Sequence, residues 1–337
     1  MIVHKVYTAV EKMRFSGHIV NKFVFYGRMK VPKVSVLMPV YNTKEEFLRE
    51  TIEAVLNQTY RDFEFLIIND ASTTNVRDVI LSYDDPRIVY IENEQNLGIS
   101  RTSNKGLQLA KGEYIARQDH DDISEPGRFY EQVKFLDAHP EVGVCGCFFR
   151  VFPKGQDVRL PIDDEGIKIR TVTEGAAICH PAAMIRKSVL QDNGITYHDE
   201  YRYAEDYQLW VDLLDKTKFH NIPEYLFRYR WFGGNASVTA GSAQAESAFK
   251  VRLNAVLALL NTTSSEIRGI FARLYQDKKY CLGEDEFHKL FAVMSSAYQN
   301  TPVFWKKKAI HKIYRRVLRQ ARCLGWWERR IKWRFLL

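Results

Sequence analysis

The sequence predicts an α/β fold: a doubly wound, mostly parallel sheet followed by a helical C-terminal region. Three observations carry this. Apolar runs of strand length alternate with amphipathic helical segments from residue 34 onward. The loops that follow those runs are polar, as expected where a parallel sheet presents the carboxyl ends of its strands to a ligand. Residues 243–337 keep helical spacing, and no strong strand pattern follows Arg230.

Val34–Val40 is a nearly continuous apolar run, which predicts a strand covered on both faces. Glu45–Gln58 predicts a helix with Phe47, Leu48, Ile52, Val55 and Leu56 on one side. Phe63–Ile68 predicts the second buried strand, Asn75–Leu81 a short helix and Ile88–Ile91 the third strand. Ser100–Leu109 is helical, Gly112 ends it, and Tyr114–Ala116 opens a fourth strand. A further helix reaches about His139, an apolar strand covers Val142–Val151, and a mixed region runs to about Ile222. These patterns divide the chain into a basic extension (1–32), an α/β domain (33–240) and a helical region (241–337) with a basic tail (302–337).

The net charge of +8 is the sum of unlike parts. Residues 1–33 carry +6 and residues 302–337 carry +11, which leaves −9 for residues 34–301. A general nucleic-acid binder would spread basic surface across its folded domain, so no nucleic-acid partner is expected. No apolar stretch reaches the roughly 18 residues of a membrane helix, and no secretion signal is recognisable. Five scattered cysteines, with Cys145 and Cys147 at the wrong spacing for a zinc knuckle, predict reduced buried thiols.

No glycine occurs between Met29 and Leu97. The loop after the first strand, Pro39-Val40-Tyr41-Asn42, therefore lacks both the Gly-rich dinucleotide turn and the P-loop. If the chain binds a nucleotide, a cation has to neutralise the phosphates. Asp119 and Asp121 flank His120 directly after an apolar strand, with Asp122 next. Alternate carboxylates at a strand end suit a hard ion such as Mg2+ or Mn2+, which takes one or two carboxylates plus waters and phosphates. An acidic solvated turn capping the next helix is the other reading. Glu205-Asp206 opens a second helical pattern with Leu209, Trp210, Leu213 and Leu214. Acids in a first turn complement the helix dipole; a carboxylate held there could equally serve as a general base.

Taken together, Val34-Ser-Val-Leu-Met-Pro-Val-Tyr-Asn42, Asn57-Gln-Thr-Tyr60, Asn69-Asp-Ala-Ser-Thr73, Asn96-Leu-Gly98 with Asn104-Lys-Gly106, Lys111 through Asp122, His180-Pro181 and Glu205-Asp206 with Leu209-Trp210 resemble the family 2 glycosyltransferases of the GT-A fold, a Rossmann-like sheet, over about residues 33–240. The resemblance implies that Asp70 meets the nucleotide base, with Pro39, Tyr41 and Asn42 around it and Asn104 among the donor contacts. It implies that Asp121 is the direct metal ligand, that Asp119 contacts the ribose and assists the metal, and that Asp122 lies near the donor sugar. Asp206 matches the catalytic base, with Glu205 and His180 as site walls. The implied reaction is inverting transfer from a nucleotide sugar, a UDP-sugar above all, to a hydroxyl of a lipid-linked or cell-surface glycan, assisted by Mn2+ or Mg2+. Tyr229-Arg230-Trp231 differs from the Q-x-x-R-W string of processive members, which implies one sugar per binding event. Asn69 and Ser103 stand where many relatives carry an acid and an arginine.

Val303–Leu324 places Ile310, Ile313, Tyr314, Val317, Ala321 and Leu324 on one helical face, with Lys and Arg on much of the rest. Trp326, Trp327 and Trp333 follow among further basic residues. This pattern predicts an anchor on an anionic membrane surface, hence a cytoplasmic protein held peripherally at the inner face of the cell membrane. The alternative is a helix packed on the catalytic domain. Two other functions compete with glycosyl transfer: a metal-dependent phosphoesterase or nucleotidyltransferase using the same aspartates, and a catalytically silent nucleotide-sugar-binding scaffold.

Overall fold

Runs of Val, Ile, Leu and Phe form strands when both faces can be covered, and that rule builds the centre of this molecule. The computed structural model describes residues 9–15, 18–24, 31–235, 239–277 and 279–321. β1 (Ala9–Phe15) and β2 (His18–Val24) pair as an antiparallel hairpin, which the sequence reading left unassigned. β3 (Val34–Val40), β4 (Phe63–Asn69), β5 (Ile88–Glu92) and β6 (Tyr114–Arg117) are parallel, in the order β5-β4-β3-β6. Every residue of β3, β4 and β6 is buried. α1 (Glu45–Leu56), α2 (Val76–Leu81), α3 (Ile99–Leu109) and α4 (Arg128–Ala138) connect and cover them.

Beyond β6 the sheet becomes mixed. It contains β7 (Ile123–Ser124), β8 (Val142–Phe152), β9 (Gln156–Val158), β10 (Met184–Arg186) and β11 (Lys218–Arg230). β10 lies antiparallel between β6 and β8, β11 runs parallel to β8, and β7 closes the edge against β11. The result is a mostly parallel, curled sheet of the GT-A kind followed by a helical C-terminal region. β7, β9 and β10 have no signal of their own in the sequence, because two or three residues are too few to show a period.

The two faces of the sheet bury separate cores. Val36, Met38, Phe65 and Ile67 face Ile52, Val55 and Phe129; Leu37, Leu66, Ile68 and Ile115 face the other way. Gly112 marks a close approach between chain segments. Its N–H donates to Ser35 Oγ at 2.8 Å, and a Cβ there would stand 2.5 Å from the Ser35 nitrogen. Gly112→Ala is therefore expected to cost about 1–3 kcal/mol, seen as a lower urea midpoint with an unchanged slope; an unchanged midpoint would refute the contact.

The remaining helices are α5 (Asp164–Thr173), α6 (Lys187–Asp192), α7 (Glu205–Leu213), α8 (Gly241–Leu259), α9 (Ser265–Gln276), α10 (Glu284–Asn300) and α11 (Phe304–Gln320). One apolar cluster crosses residue 240: Ile167, Val172, Leu209 and Trp210 pack with Val256, Phe271, Phe287, Leu290, Ile310, Ile313 and Val317. This corrects one expectation. The apolar face assigned to a membrane surface is closed inside the protein over α11, where Ala309, Ile310, Ile313, Tyr314 and Val317 are at most 2 % exposed. Helical periodicity reports that a face is covered, not by what. The Trp-rich segment 322–337 lies outside the described residues. Among the described residues no helix is long and apolar enough to cross a membrane. Cys145, Cys147 and Cys179 are free thiols, as expected. Cys281 is disulfide-bonded, which is a second correction, because scatter along a sequence carries no spatial information.

Candidate active site

The parallel strands deliver three loops to one edge of the sheet, after Val40, Asn69 and Arg117. Tyr41 is 45 % exposed at that edge, while Pro39 is buried inside β3. Asn42 adopts φ +46°, and its Oδ1 accepts from the Thr73 amide at 2.8 Å and the Thr73 hydroxyl at 3.1 Å, tying the first two loops together. Asp70 is 3 % exposed. Its Oδ1 accepts from Asn93 Nδ2 at 2.7 Å and the Leu97 amide at 2.9 Å, and its Oδ2 from the Gly98 amide at 2.9 Å. Gly98 has φ +84°, a conformation glycine adopts without strain. Asp70 thus shapes the 93–98 loop, with one acceptor position on Oδ2 still open. Asn104 also has a structural role: its amide exchanges two hydrogen bonds of 2.8 Å with the backbone of Tyr197.

The third loop carries the acids. Asp119 Oδ1 pairs with the Arg117 guanidinium at 2.8 Å. Burial raises the Asp119 pKa, but the adjoining Arg117 charge outweighs it, and the carboxyl sits below its usual range. Asp121 is pushed the other way, by burial and by the Asp119 charge. Asp122 is turned inward at 1 % exposure; its Oδ1 accepts from the Arg230 amide at 2.7 Å, so it anchors the end of β11. His120 has a buried Nδ1 with no hydrogen-bond partner. Among the described residues no three His, Cys, Asp or Glu side chains form a metal-holding group. Asp121 with Asp119 would offer one or two carboxylates, a set that fits a hard cation completing its shell with waters and substrate phosphates.

Asp206 and Glu205 open α7. Asp206 Oδ1 accepts from the Tyr207 amide at 2.7 Å. Burial, with the Asp119 charge adding to it, raises Asp206 to about 6. Burial and the neighbouring Asp206 raise Glu205 to about 7, and Glu205 Oε2 is buried without a partner. The first-turn acids therefore feel the Asp119 charge in the β6 loop. His180 is buried against α7 and near Arg117 and Asp119. Its Nε2 lies 2.8 Å from the Tyr197 hydroxyl, and its ring meets Tyr197 and Trp210 edge-on. Burial and the Arg117 charge push His180 down to about 3, so it is neutral at working pH.

Residues 35–194 match the family model for Glycosyl transferase family 2. A glycosyltransferase of Methanocaldococcus jannaschii, itself uncharacterised, is 31 % identical over 212 residues, covering 60 % of this chain and 72 % of that one. The chain belongs to the family 2 glycosyltransferases. EpsE of Bacillus subtilis, which carries a glycosyltransferase name, is 34 % identical over 208 residues, 59 % of this chain and 73 % of its own. The fold resembles S. aureus TarS 1–349, solved with UDP-GlcNAc, at TM-score 0.58 and 17 % identity over 86 % of this chain and 89 % of that one. It also resembles a Pyrobaculum calidifontis mannosyltransferase solved with GDP-Man and Mn2+, at TM-score 0.51 and 15 % identity over 88 % and 77 %. Family membership sets aside the phosphoesterase reading. The family match spans Asp70, the Asp119–Asp122 loop and His180, and ends before Glu205 and Asp206.

Sequence reasoning missed the basic layer behind the acids of this glycosyltransferase. Arg117 is 1 % exposed and donates to the Leu37 and Gln118 carbonyls as well as pairing with Asp119. Arg128 is fully buried and donates to Ser124 Oγ, Gln118 Oε1 and the carbonyls of Arg117 and Ala183, fastening β6, β7 and β10 together. Arg230 reaches from β11 to the Asp121 carbonyl at 2.6 Å and to Glu50. For Arg117 a signal existed: a charged residue ending a buried apolar strand needs a partner. Removing it should leave the Asp119 charge uncompensated. Arg117→Met is expected to lower stability by about 2–4 kcal/mol, toward the low end of a broken buried pair because Asp119 is partly exposed; a thermal midpoint equal to the parent's would sink this account.

Proposed function

We propose that this glycosyltransferase moves one sugar per encounter from a UDP-sugar to a glycan hydroxyl, with inversion at the anomeric carbon. The observation that carries the reading is the raised Asp206 carboxyl at the start of α7, within electrostatic reach of Asp119. The acceptor is a lipid-linked or cell-surface glycan, and the sugar a hexose or N-acetylhexosamine. TarS with UDP-GlcNAc supports a uridine nucleotide; the mannosyltransferase with GDP-Man shows that similar folds also accept guanosine.

In this mechanism ionised Asp206 accepts the proton of the acceptor hydroxyl as its oxygen bonds to the anomeric carbon. The bond from that carbon to the diphosphate oxygen breaks on the opposite side, and the nucleoside diphosphate leaves with the electron pair. Neutral His180 holds Tyr197 and shapes the wall without adding charge. Asp70 and Asn42 fix the loops around the base, and Tyr41 offers its exposed ring there. A divalent cation, Mn2+ or Mg2+, held by Asp121 with Asp119, would supply positive charge for the departing diphosphate.

The test is a panel of nucleotide sugars scored for binding and for nucleotide release, with each metal and with chelator. Saturable binding of a UDP-sugar, with release stimulated by a glycan acceptor, is expected. Binding of GDP-sugars alone would overturn the donor, and retention of anomeric configuration in the product would overturn the single displacement.

A further inference from the structure

A second cavity lies outside the cleft. Its volume is about 740 Å3, it sits between α5, α9, α10 and α11, and none of Asp70, Asp119, Asp121 or Asp206 lines it. The apolar face of α11 is used for packing, and Lys307, Arg315, Arg316 and Arg319 line this hollow, Arg315 and Arg319 with much of their surface still in solvent. Lys308 and Lys312 are held by Glu165 and Glu174. Lys307, Arg315 and Arg316 line the cavity and have no carboxylate partner among the described residues. Lys307 lies 5.0 Å over the Tyr298 ring, and Arg316 4.1 Å over the Tyr275 ring.

Tyr275 is the second observation. It lines the cavity at 9 % exposure, and its hydroxyl has no hydrogen-bond partner. Its ring is flanked by two guanidinium groups, since Arg252 stands 4.7 Å from it as well. Burial and the nearby positive charges of Arg252 and Arg319 hold the Arg316 pKa below its ordinary value. Like charges crowded around a donor without an acceptor are unfavourable unless an anion joins them. Guanidinium forks match the several oxygens of a phosphate, and the volume suits a small ligand.

We propose that this cavity is a phosphate-binding site, separate from the donor-site loops, which takes a ligand bearing a phosphate or diphosphate group through Arg315, Arg316 and Lys307, with the Tyr275 ring beneath Arg316. The ligand's phosphate comes from a lipid headgroup or from a soluble phosphorylated compound.

Inorganic pyrophosphate is the probe, titrated calorimetrically into the full chain. Chelator is present throughout, and Asp121→Ala serves as a background in which the donor cleft is disabled. Saturable binding is expected to persist in both. Arg315→Gln with Arg316→Gln should weaken it by at least about tenfold, the effect of losing one charge-assisted hydrogen bond. Lys307→Gln should weaken it several-fold without lowering the melting temperature, because the ammonium has no carboxylate partner among the described residues; it decides the matter alone if the double variant fails to fold. Flotation with phosphatidylglycerol vesicles separates the sources. Vesicle binding displaced by pyrophosphate assigns a headgroup, and pyrophosphate binding without vesicle uptake assigns a soluble ligand. No saturable binding to the parent chain, or undiminished binding in these variants, overturns the proposal.

Discussion

Asp206→Asn is expected to reduce kcat by about 10²–10⁴-fold, the range for removing a positioned general base, with donor affinity nearly unchanged. The residue sits at the first turn of α7 and touches the protein mainly through the Tyr207 amide, which asparagine can still satisfy. The pH profile gives a second readout. A base works only when ionised, so activity should fall as pH drops through about 6, where Asp206 takes up its proton. Glu205, raised to about 7, titrates with it, so the limb belongs to the pair. The stability sign is opposite. Both carboxyls have folded pKa values above their unfolded ones, so their contribution is present at low pH and lost as pH rises through about 6–7. Asp206→Asn should therefore melt no lower than the parent at pH 8, and higher if burial dominates. A variant that keeps parental kcat ends the assignment of Asp206 as base.

Asp121→Ala is expected to lower kcat by about 10²–10³-fold, comparable to removing one preorganised electrostatic group from a transition state, and to abolish stimulation by added Mn2+ or Mg2+. The Asp121 carboxyl is strained by burial and by Asp119, and Arg230 meets only its backbone carbonyl by hydrogen bond. Substituting it relieves repulsion in the resting protein, so the fold should survive while catalysis fails. Chelator should reproduce the loss in the parent and add nothing in the variant. Full activity of the parent in chelator would remove the cation from the mechanism and leave Arg117 and Arg230 as the fixed positive charges at this loop.

The acid-bearing loop was legible in the sequence because its residues are contiguous: an apolar strand ends and Asp119 to Asp122 follow. What each of those acids does was less legible. Asp119 pairs with Arg117 two residues away, and Asp122 turns into the protein to hold the Arg230 amide, a partner far along the chain. Asn104 shows the same limit. It lies in a family-like string, yet both of its polar atoms fasten the backbone of Tyr197, which in turn positions His180.

By itself the sequence determined the parallel half of the sheet, since β3, β4 and β6 are apolar runs and the helices between them repeat at helical spacing. It also determined that the strand ends would be polar and that α11 would bury one face. Tertiary structure alone decided what met those features. Three-residue β10 turns a parallel sheet into a mixed one because it finds edges on both sides, which no local pattern announces. The apolar face of α11 closes on α5 and α10 rather than on a lipid surface, and its basic residues are thereby turned onto a cavity. Hydrophobic periodicity specifies how much surface leaves water; which surface replaces the water depends on contacts between segments distant in the chain.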